Sequence, residues 1–428
     1  METLVIGAGL AGLAAAERLV AAGAAVTLLE ARARLGGRVW TERRPSGVTV
    51  ELGAEWIGND GAVHDLLVRA GARVVEASGG QVRRLEGGWH DLSDLSNRNR
   101  DLVHRASRFH GADRSLLTAL DQCCSEPEAA ESRSHLLRYV EGFHAADPAR
   151  LSTRWLAEVE ASQPADASEL RASGGVGRVV EELSSGLEGR CDLRLGAVAR
   201  EVRWRPGGVE IETADGHTFR AASAVVSIPL PLLDPMSDEP AALRFTPRLR
   251  EKLDAARLLE MGQVVKLVLG FRDPFWRDIG PLEGMLFLHD YDQPLPTWWT
   301  PAEPSLPVLT GWAGGPYATR LAGVAERELL ELAVGSLAHA LSLSRRDVGA
   351  RLEYHHFHDW GSDPFARGAY TYVKVGGVEA HRTLAEPVAG TLYFAGEATC
   401  GGGLNATMEG AMRSGVRAAA ELLAESRR

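Results

Sequence analysis

Short apolar runs alternate with turns at the start of the chain. Thr3–Ile6 is apolar and predicts a strand, and small and apolar residues then run over Ala11–Ala22 at helical spacing. A second strand is predicted over Ala25–Glu30, which makes a βαβ opening. A strand through Arg43, a turn near Gly47, a strand ending at Leu52 and a helix over Ala62–Ala70 follow. From about Glu76 to Gln163 the pattern becomes helical, polar and rich in arginine. A helix is expected over Gly177–Leu187, then strands Ala197–Arg205 and Val209–Thr213 about the Pro206-Gly207-Gly208 turn. Beyond Asp215-Gly216 a single strand is expected over Thr218–Ile228. The next segment mixes strands Val264–Phe271 and Val308–Trp312 with a helix at Glu326–Leu341. The end repeats the opening pattern: strand Leu392–Ala395, glycine-rich loop Gly396–Leu404, helix Met408–Glu425.

This order predicts an α/β plus α+β protein. A Rossmann-like nucleotide-binding domain is assembled from residues 1–75, 171–232 and 386–428. A mixed α+β substrate domain is inserted as residues 76–170, mainly helical, and 233–385. The length of 428 residues suits two or three domains. A net charge of −10 disfavours nucleic acid as a partner. No apolar run is long enough for a membrane span, and Gly7 interrupts the first apolar run too early for a leader peptide. Four cysteines without a C-x-x-C pair favour a reducing, cytoplasmic setting, and no metal site is expected.

Gly7-Ala8-Gly9-Leu10-Ala11-Gly12 fits G-x-G-x-x-G between a strand and a helix. Gly7 permits the turn, Gly9 lets amides approach a pyrophosphate, and Gly12 lets helix and strand pack closely. The amides of the helix start favour an anion. Glu30 ends the second strand, where a carboxylate accepts from ribose hydroxyls and repels a 2′-phosphate.

Further stretches carry a family resemblance. Glu30-Ala31-Arg32 with Leu35-Gly36-Gly37-Arg38 resembles the second fingerprint of FAD enzymes of the glutathione-reductase type, in the variant of the flavin amine oxidase superfamily. Gly53-Ala54-Glu55-Trp56 is similar to the turn beside the flavin in those proteins, and Tyr393–Glu397 with Met408–Ala411 is similar to their C-terminal FAD motif. The resemblance runs from Leu4 to about Leu423 and implies an FAD-binding domain of that type. It places Arg38 at the pyrophosphate, Val198 at the adenine, Glu397 at the ribityl–phosphate region, and Trp360, Gly396, Thr407, Met408 and Ala411 about the flavin. It also implies that the helix start near Met408 faces flavin N1 and the C2 carbonyl.

Only three of the 47 basic residues are lysines: Lys252, Lys266 and Lys374. Lys266 stands in an apolar strand, which leaves two readings: an ammonium snorkelling from an edge strand, or the lysine that holds a water near flavin N5 in the resembled family. Tyr370, after Trp360-Gly361-Ser362-Asp363-Pro364, matches one wall of that family's aromatic cage; otherwise it is a packed core tyrosine. Two departures bear on chemistry. Ala369 replaces the flavin-linking cysteine of the covalent enzymes, so FAD is expected to be non-covalent, and Thr407 replaces the second cage tyrosine. Glu55-Trp56 stands where amino-acid oxidases place a carboxylate-binding arginine, which argues against an α-amino acid unless another arginine serves.

The resemblance therefore implies an FAD-dependent amine oxidase. Hydride passes from the amine-bearing carbon to flavin N5, and an imine forms that hydrolyses to an aldehyde or ketone. Molecular oxygen reoxidises the flavin and yields hydrogen peroxide. The expected partners are a small-molecule amine and oxygen, and a homodimer is compatible. A desaturase or porphyrinogen-type oxidase acting on C–C bonds and a non-catalytic FAD-binding scaffold are the alternatives.

Overall fold

The computed structural model describes residues 2–59, 61–92, 95–108, 112–162, 169–233 and 241–426. A five-stranded parallel sheet has the order Leu392–Phe394, Ser223–Val226, Glu2–Ile6, Ala25–Glu30, Cys191–Leu195. Its strands come from widely separated parts of the sequence. The central ones are apolar on both faces because both are covered. Val5, Leu28, Val225 and Tyr393 pack with helices Leu10–Ala21 and Met408–Glu425. The alternate residues, Leu4, Ile6, Leu29, Ala224 and Val226, pack with the opposite layer, which includes Val202 and Ile211. The two helices lie so close that a Cβ on Gly415 would come within 2.1 Å of the Ala11 carbonyl oxygen.

A seven-stranded sheet has the order Leu352–Asp359, Val264–Phe271, Val308–Gly314, Thr297–Trp299, Met285–His289, Gly80–Leu85, Gly88–Asp91. Val264–Phe271 is paired antiparallel on both sides and buried along its whole length. This is an interior strand, so the edge-strand reading of Lys266 does not hold.

Two expectations differ from the structure. The stretch from Glu76 begins with strands Gly80–Leu85 and Gly88–Asp91 before helices Leu95–Ser107, Leu116–Cys123, Ala130–Gly142 and Thr153–Ser162. The polar residues that suggested helix there lie on a partly exposed hairpin at the sheet edge, joined to the rest of the sheet by the remote strand Met285–His289. Residues 93, 94, 109–111 and 163–168 of that stretch lie outside the described residues. The single strand expected over Thr218–Ile228 is two strands, Thr218–Ala221 and Ser223–Val226, which enter different sheets. Local apolar content does not register that change of partner.

Candidate active site

A cavity of about 870 Å³ runs from the βαβ turn to the face of the seven-stranded sheet. At its first end the glycine motif is shaped for close approach. A Cβ on Gly12 would meet the Gly7 carbonyl oxygen at 1.8 Å, whereas one on Gly9 would meet nothing within 4 Å. Gly9 is the N-cap of helix Leu10–Ala21 and no side chain caps it, so amides of the first turn are free for an anion. Gly7, Gly9, Leu10 and Ala11 line the cavity, as do Gly36 and Gly37. The Gly36 amide donates to the Ala8 carbonyl at 2.8 Å, which ties the two glycine segments together. Buried Glu30 accepts from the Ala8 amide at 2.7 Å and from the Arg32 amide at 2.8 Å. A carboxylate has about four acceptor sites, so two remain for hydroxyls.

Ala31, Arg32, Val198, Trp360 and Gly396 also line the cavity. Arg32 is held by Asp363 at 2.6 Å, and Asp363 also meets His358 at 2.7 Å. These hydrogen bonds outweigh burial and hold the Asp363 carboxyl below its ordinary value. The Val198 carbonyl accepts from the Ala214 amide at 2.8 Å. Trp360 donates from its indole to the Leu52 carbonyl at 2.8 Å.

Arg38 pairs with buried Glu397 at 2.9 Å and donates to the Ala369 carbonyl at 2.7 Å. The other Glu397 oxygen accepts from the Thr371 hydroxyl at 2.6 Å and the Ala406 amide at 3.0 Å. Glu397 thus joins three separate segments around the cavity. Thr407 caps helix Met408–Glu425, its hydroxyl accepting from the Gly410 amide at 2.9 Å. Thr407, Met408 and Ala411 line the cavity at that helix start.

Lys266 and Glu55 stand where the cavity meets the seven-stranded sheet. The Lys266 Nζ donates to the Gly53 carbonyl at 3.0 Å and to Glu55 at 3.0 Å. Its side chain is 3% exposed and lies over the Trp299 ring at 5.6 Å. The ammonium is therefore not a lone charge. Glu55 also pairs with Arg171 at 3.3 Å and accepts from the Trp299 indole at 3.2 Å. Burial pushes the Glu55 carboxyl up, but Lys266 and Arg171 outweigh it, and the net shift is downward. Glu51 is raised to about 7 by burial, against Lys266 and its bonds to Thr41 and the Val176 amide. Gly53, Ala54, Glu55 and Trp56 all line the cavity.

Tyr370 lines the cavity and is not packed in the core; its hydroxyl donates to the Phe143 carbonyl at 2.6 Å. Burial holds that phenol above its ordinary value. Phe143, Tyr139 and His144 form an aromatic wall nearby, with Tyr139 stacked on Phe143 at 5.2 Å between centroids. The histidine run His355-His356-Phe357-His358 is distributed among separate acids: Glu326 at 2.9 Å, Glu42 at 3.0 Å and Asp363 at 2.7 Å.

Several residues of this arrangement have no local sequence signal. Arg171 lies in strand Leu170–Ser173, just beyond the stretch that reads as helical, and its guanidinium sits 4.8 Å from the Trp56 ring. It meets the Glu55-Trp56 turn with its guanidinium, but it is already engaged by Glu55 and the Thr300 carbonyl. Glu51, Thr371 and Asp363 also enter only through long-range contacts. Uncapped helix amides, the open approach at Gly9, buried Glu30 and Arg38 along one long cavity fit a dinucleotide such as FAD.

A family profile described as flavin containing amine oxidoreductase matches residues 10–423. Lysine-specific histone demethylase 1B of Mus musculus is 28% identical over 466 residues, covering 99% of this chain and 53% of its own length. Putrescine oxidase of Kocuria rosea is 28% identical over 476 residues, covering 99% of this chain and 95% of its own. The chain thus spans about half the length of the demethylase and nearly all of that oxidase. Among solved structures, cyclohexylamine oxidase from Brevibacterium oxydans IH-35A superimposes with a TM-score of 0.82 at 22% identity, covering 100% of this chain and 99% of its own. A putrescine oxidase bound to putrescine gives 0.81 at 22% identity, with 99% of each chain covered. At these identities the structural likeness establishes the fold.

Proposed function

The chain belongs to the flavin-containing amine oxidoreductase family, and from that premise we propose that it oxidises the C–N bond of a small-molecule amine to an imine, which water then hydrolyses to an aldehyde or ketone. Bound FAD would supply the two-electron acceptor for the hydride, with molecular oxygen as the final oxidant and hydrogen peroxide as its product. The free amides at the start of helix Leu10–Ala21 would hold the pyrophosphate, Glu30 the ribose, and Arg38 would offset phosphate charge. Glu397 fixes Arg38 in place. Ala369 offers no side-chain nucleophile, which supports non-covalent attachment. Tyr370 presents an aromatic face that orients the amine, and the wall of Tyr139, Phe143 and His144 excludes water. Lys266, held by the Gly53 carbonyl and Glu55, positions a water and moves a proton at its Nζ.

The observation that carries this reading is the buried Lys266 on the cavity wall beside Gly53 and Glu55. Anaerobic addition of candidate amines to the purified holoenzyme should bleach the oxidised flavin absorbance. Air should then restore the colour with formation of peroxide. A flavin that stays oxidised with every amine tested would refute the reading.

A further inference from the structure

Strand Met285–His289 turns successive side chains to opposite faces. Leu288 is buried in the core behind the sheet, whereas Phe287 and His289 line the cavity, as does Tyr291 two residues on. Their rings form a continuous file. Phe287 stacks on His289 at 5.9 Å between centroids, and His289 meets Tyr291 at 5.5 Å. At its other end Phe287 meets Trp299 at 6.2 Å, and the Trp299 ring lies 5.6 Å from the Lys266 Nζ. Every member from Lys266 to Tyr291 lines the cavity, so the file leads along its wall away from the ammonium assigned to the chemistry.

Helix Ala130–Gly142 supplies a second wall of rings. His135 and Tyr139 are four residues apart, so they share a face of it, and both line the cavity. Tyr139 stacks on Phe143, whose carbonyl holds Tyr370. Burial pushes His289 down to about 3 and His135 down to about 4, so both rings are neutral near pH 7. His135 itself adds to the push on His289, which brings the two walls close at that point. The Nδ1 atoms are engaged, by Thr297 at 3.1 Å and Asn99 at 3.0 Å, which fixes the ring planes. The lining arginine of the same helix, Arg138, is paired with Glu141 at 2.9 Å. A planar apolar body between these walls gains stacking on uncharged faces and displaces water from rings that need none.

We propose that Phe287, His289 and Tyr291 form a stacking subsite and that the preferred substrates are amines carrying an extended aromatic body, at least two rings in line. This rests on the amine-oxidase reading above and adds the substrate class. The cavity also has charged lining outside the file. Glu76 and Glu169 stand at the strand pair Arg73–Glu76 and Leu170–Ser173, and Glu160 on helix Thr153–Ser162 with Arg100 acting on it. Those carboxylates are the competing place for the second ammonium of a diamine, but they are not continuous with the rings that begin at Lys266.

The test compares kcat/KM of the holoenzyme for benzylamine, 4-phenylbenzylamine, hexylamine and 1,6-diaminohexane. The second ring should raise kcat/KM about tenfold over benzylamine, through KM, and the diamine should come last. Tyr291→Leu should remove most of that ratio, and Tyr291→Phe, which keeps the ring, should retain it. A readout without turnover is the oxidised flavin spectrum: 4-biphenylmethanol should perturb it at lower concentration than benzyl alcohol does, and the gap should narrow in Tyr291→Leu. A wild-type preference for benzylamine over 4-phenylbenzylamine would overturn the proposal, even if no variant folds. A preference for the diamine over 4-phenylbenzylamine would place the far end at the carboxylates and overturn it too. An unchanged ratio in a folded Tyr291→Leu enzyme would do the same. Flavin that no amine reduces would overturn the parent reading and this one with it, whereas hexylamine turnover with no gain from the second ring overturns this one alone.

Discussion

The Nζ of Lys266 lies 3.0 Å from Oε2 of Glu55, and Arg171 meets the same carboxylate from the other side at 3.3 Å. All three side chains are at most 10% exposed, so one buried acid is shared by two cations. Breaking a buried pair outright costs about 3 kcal/mol. Lys266→Met leaves Arg171 on the same acid, so in denaturant unfolding it should be destabilised by less than that, and by less than a variant lacking both cations. If Lys266 also moves a proton, reoxidation of the reduced flavin by oxygen should slow about tenfold or more, read by stopped-flow absorbance. Undiminished reoxidation in a folded Lys266→Met enzyme would withdraw the chemical role and leave only the structural one.

Glu51 and Glu55 should give stability opposite dependences on pH. The Glu51 carboxyl is raised by burial from 4.5 to about 7, so the folded state holds its proton more tightly than the unfolded state. That contribution weakens stability as pH rises from about 4.5 to about 7. Glu55 is lowered, because two cations outweigh burial, so its contribution is present above the ordinary carboxylate value and is lost as pH falls through the folded one. Urea midpoints from pH 4 to 8 should therefore show Glu51→Gln gaining on the wild type toward pH 8. Glu55→Gln should fall furthest behind the wild type in the same range. A Glu51→Gln protein with the wild-type pH slope would contradict the assignment.

The ends of the fold were readable because their determinants are local. The Gly7–Gly12 turn, the strand Ala25–Glu30 and the helix Met408–Glu425 each follow from adjacent residues. Lys266 stood out because a lysine in an apolar, arginine-rich setting is chemically unusual. Its partners in the fold were less visible: Glu55 is 211 positions away on a turn, and Arg171, in strand Leu170–Ser173, lies beyond the stretch that reads as helical and carries no signal of its own. Strands Gly80–Leu85 and Gly88–Asp91 form a local hairpin that polar residues disguise, and Gly80–Leu85 joins the larger sheet through Met285–His289, some two hundred residues on. Site residues brought together by long-range contacts leave no mark in their own neighbourhood.

Gly12 tests the dinucleotide end separately from the chemistry. A methyl group there would fall 1.8 Å from the Gly7 carbonyl oxygen, and backbone must move to admit it. Displacing Gly7 opens the turn that presents the first amides of the helix. Gly12→Ala should purify without flavin colour and should fail to regain it on incubation with FAD. Gly9→Ala meets no atom within 4 Å in the protein, so any loss of FAD there reports the bound group itself. Retention of FAD by Gly12→Ala with wild-type affinity would show that the turn does not set the site.

Tyr370 separates an aromatic surface from a hydroxyl. Its hydroxyl donates to the Phe143 carbonyl at 2.6 Å and so fixes the ring against the helical layer, while the ring itself lines the cavity. Tyr370→Phe keeps the face and loses only that tether, so kcat/KM for a good amine should fall no more than a few-fold. Tyr370→Ala removes the face, and the loss should reach about tenfold or more, since cation–π contact in a desolvated site and orientation of the reacting bond both depend on it. Burial holds the phenol above its ordinary value, so Tyr370 stays protonated through the working range and adds no inflection of its own. The rise of activity with pH should then follow deprotonation of the bound amine and should persist with the same midpoint in Tyr370→Phe. A midpoint that moves in Tyr370→Phe would assign the titration to the tyrosine, and equal losses in the two variants would make the tether, not the ring, the feature that matters.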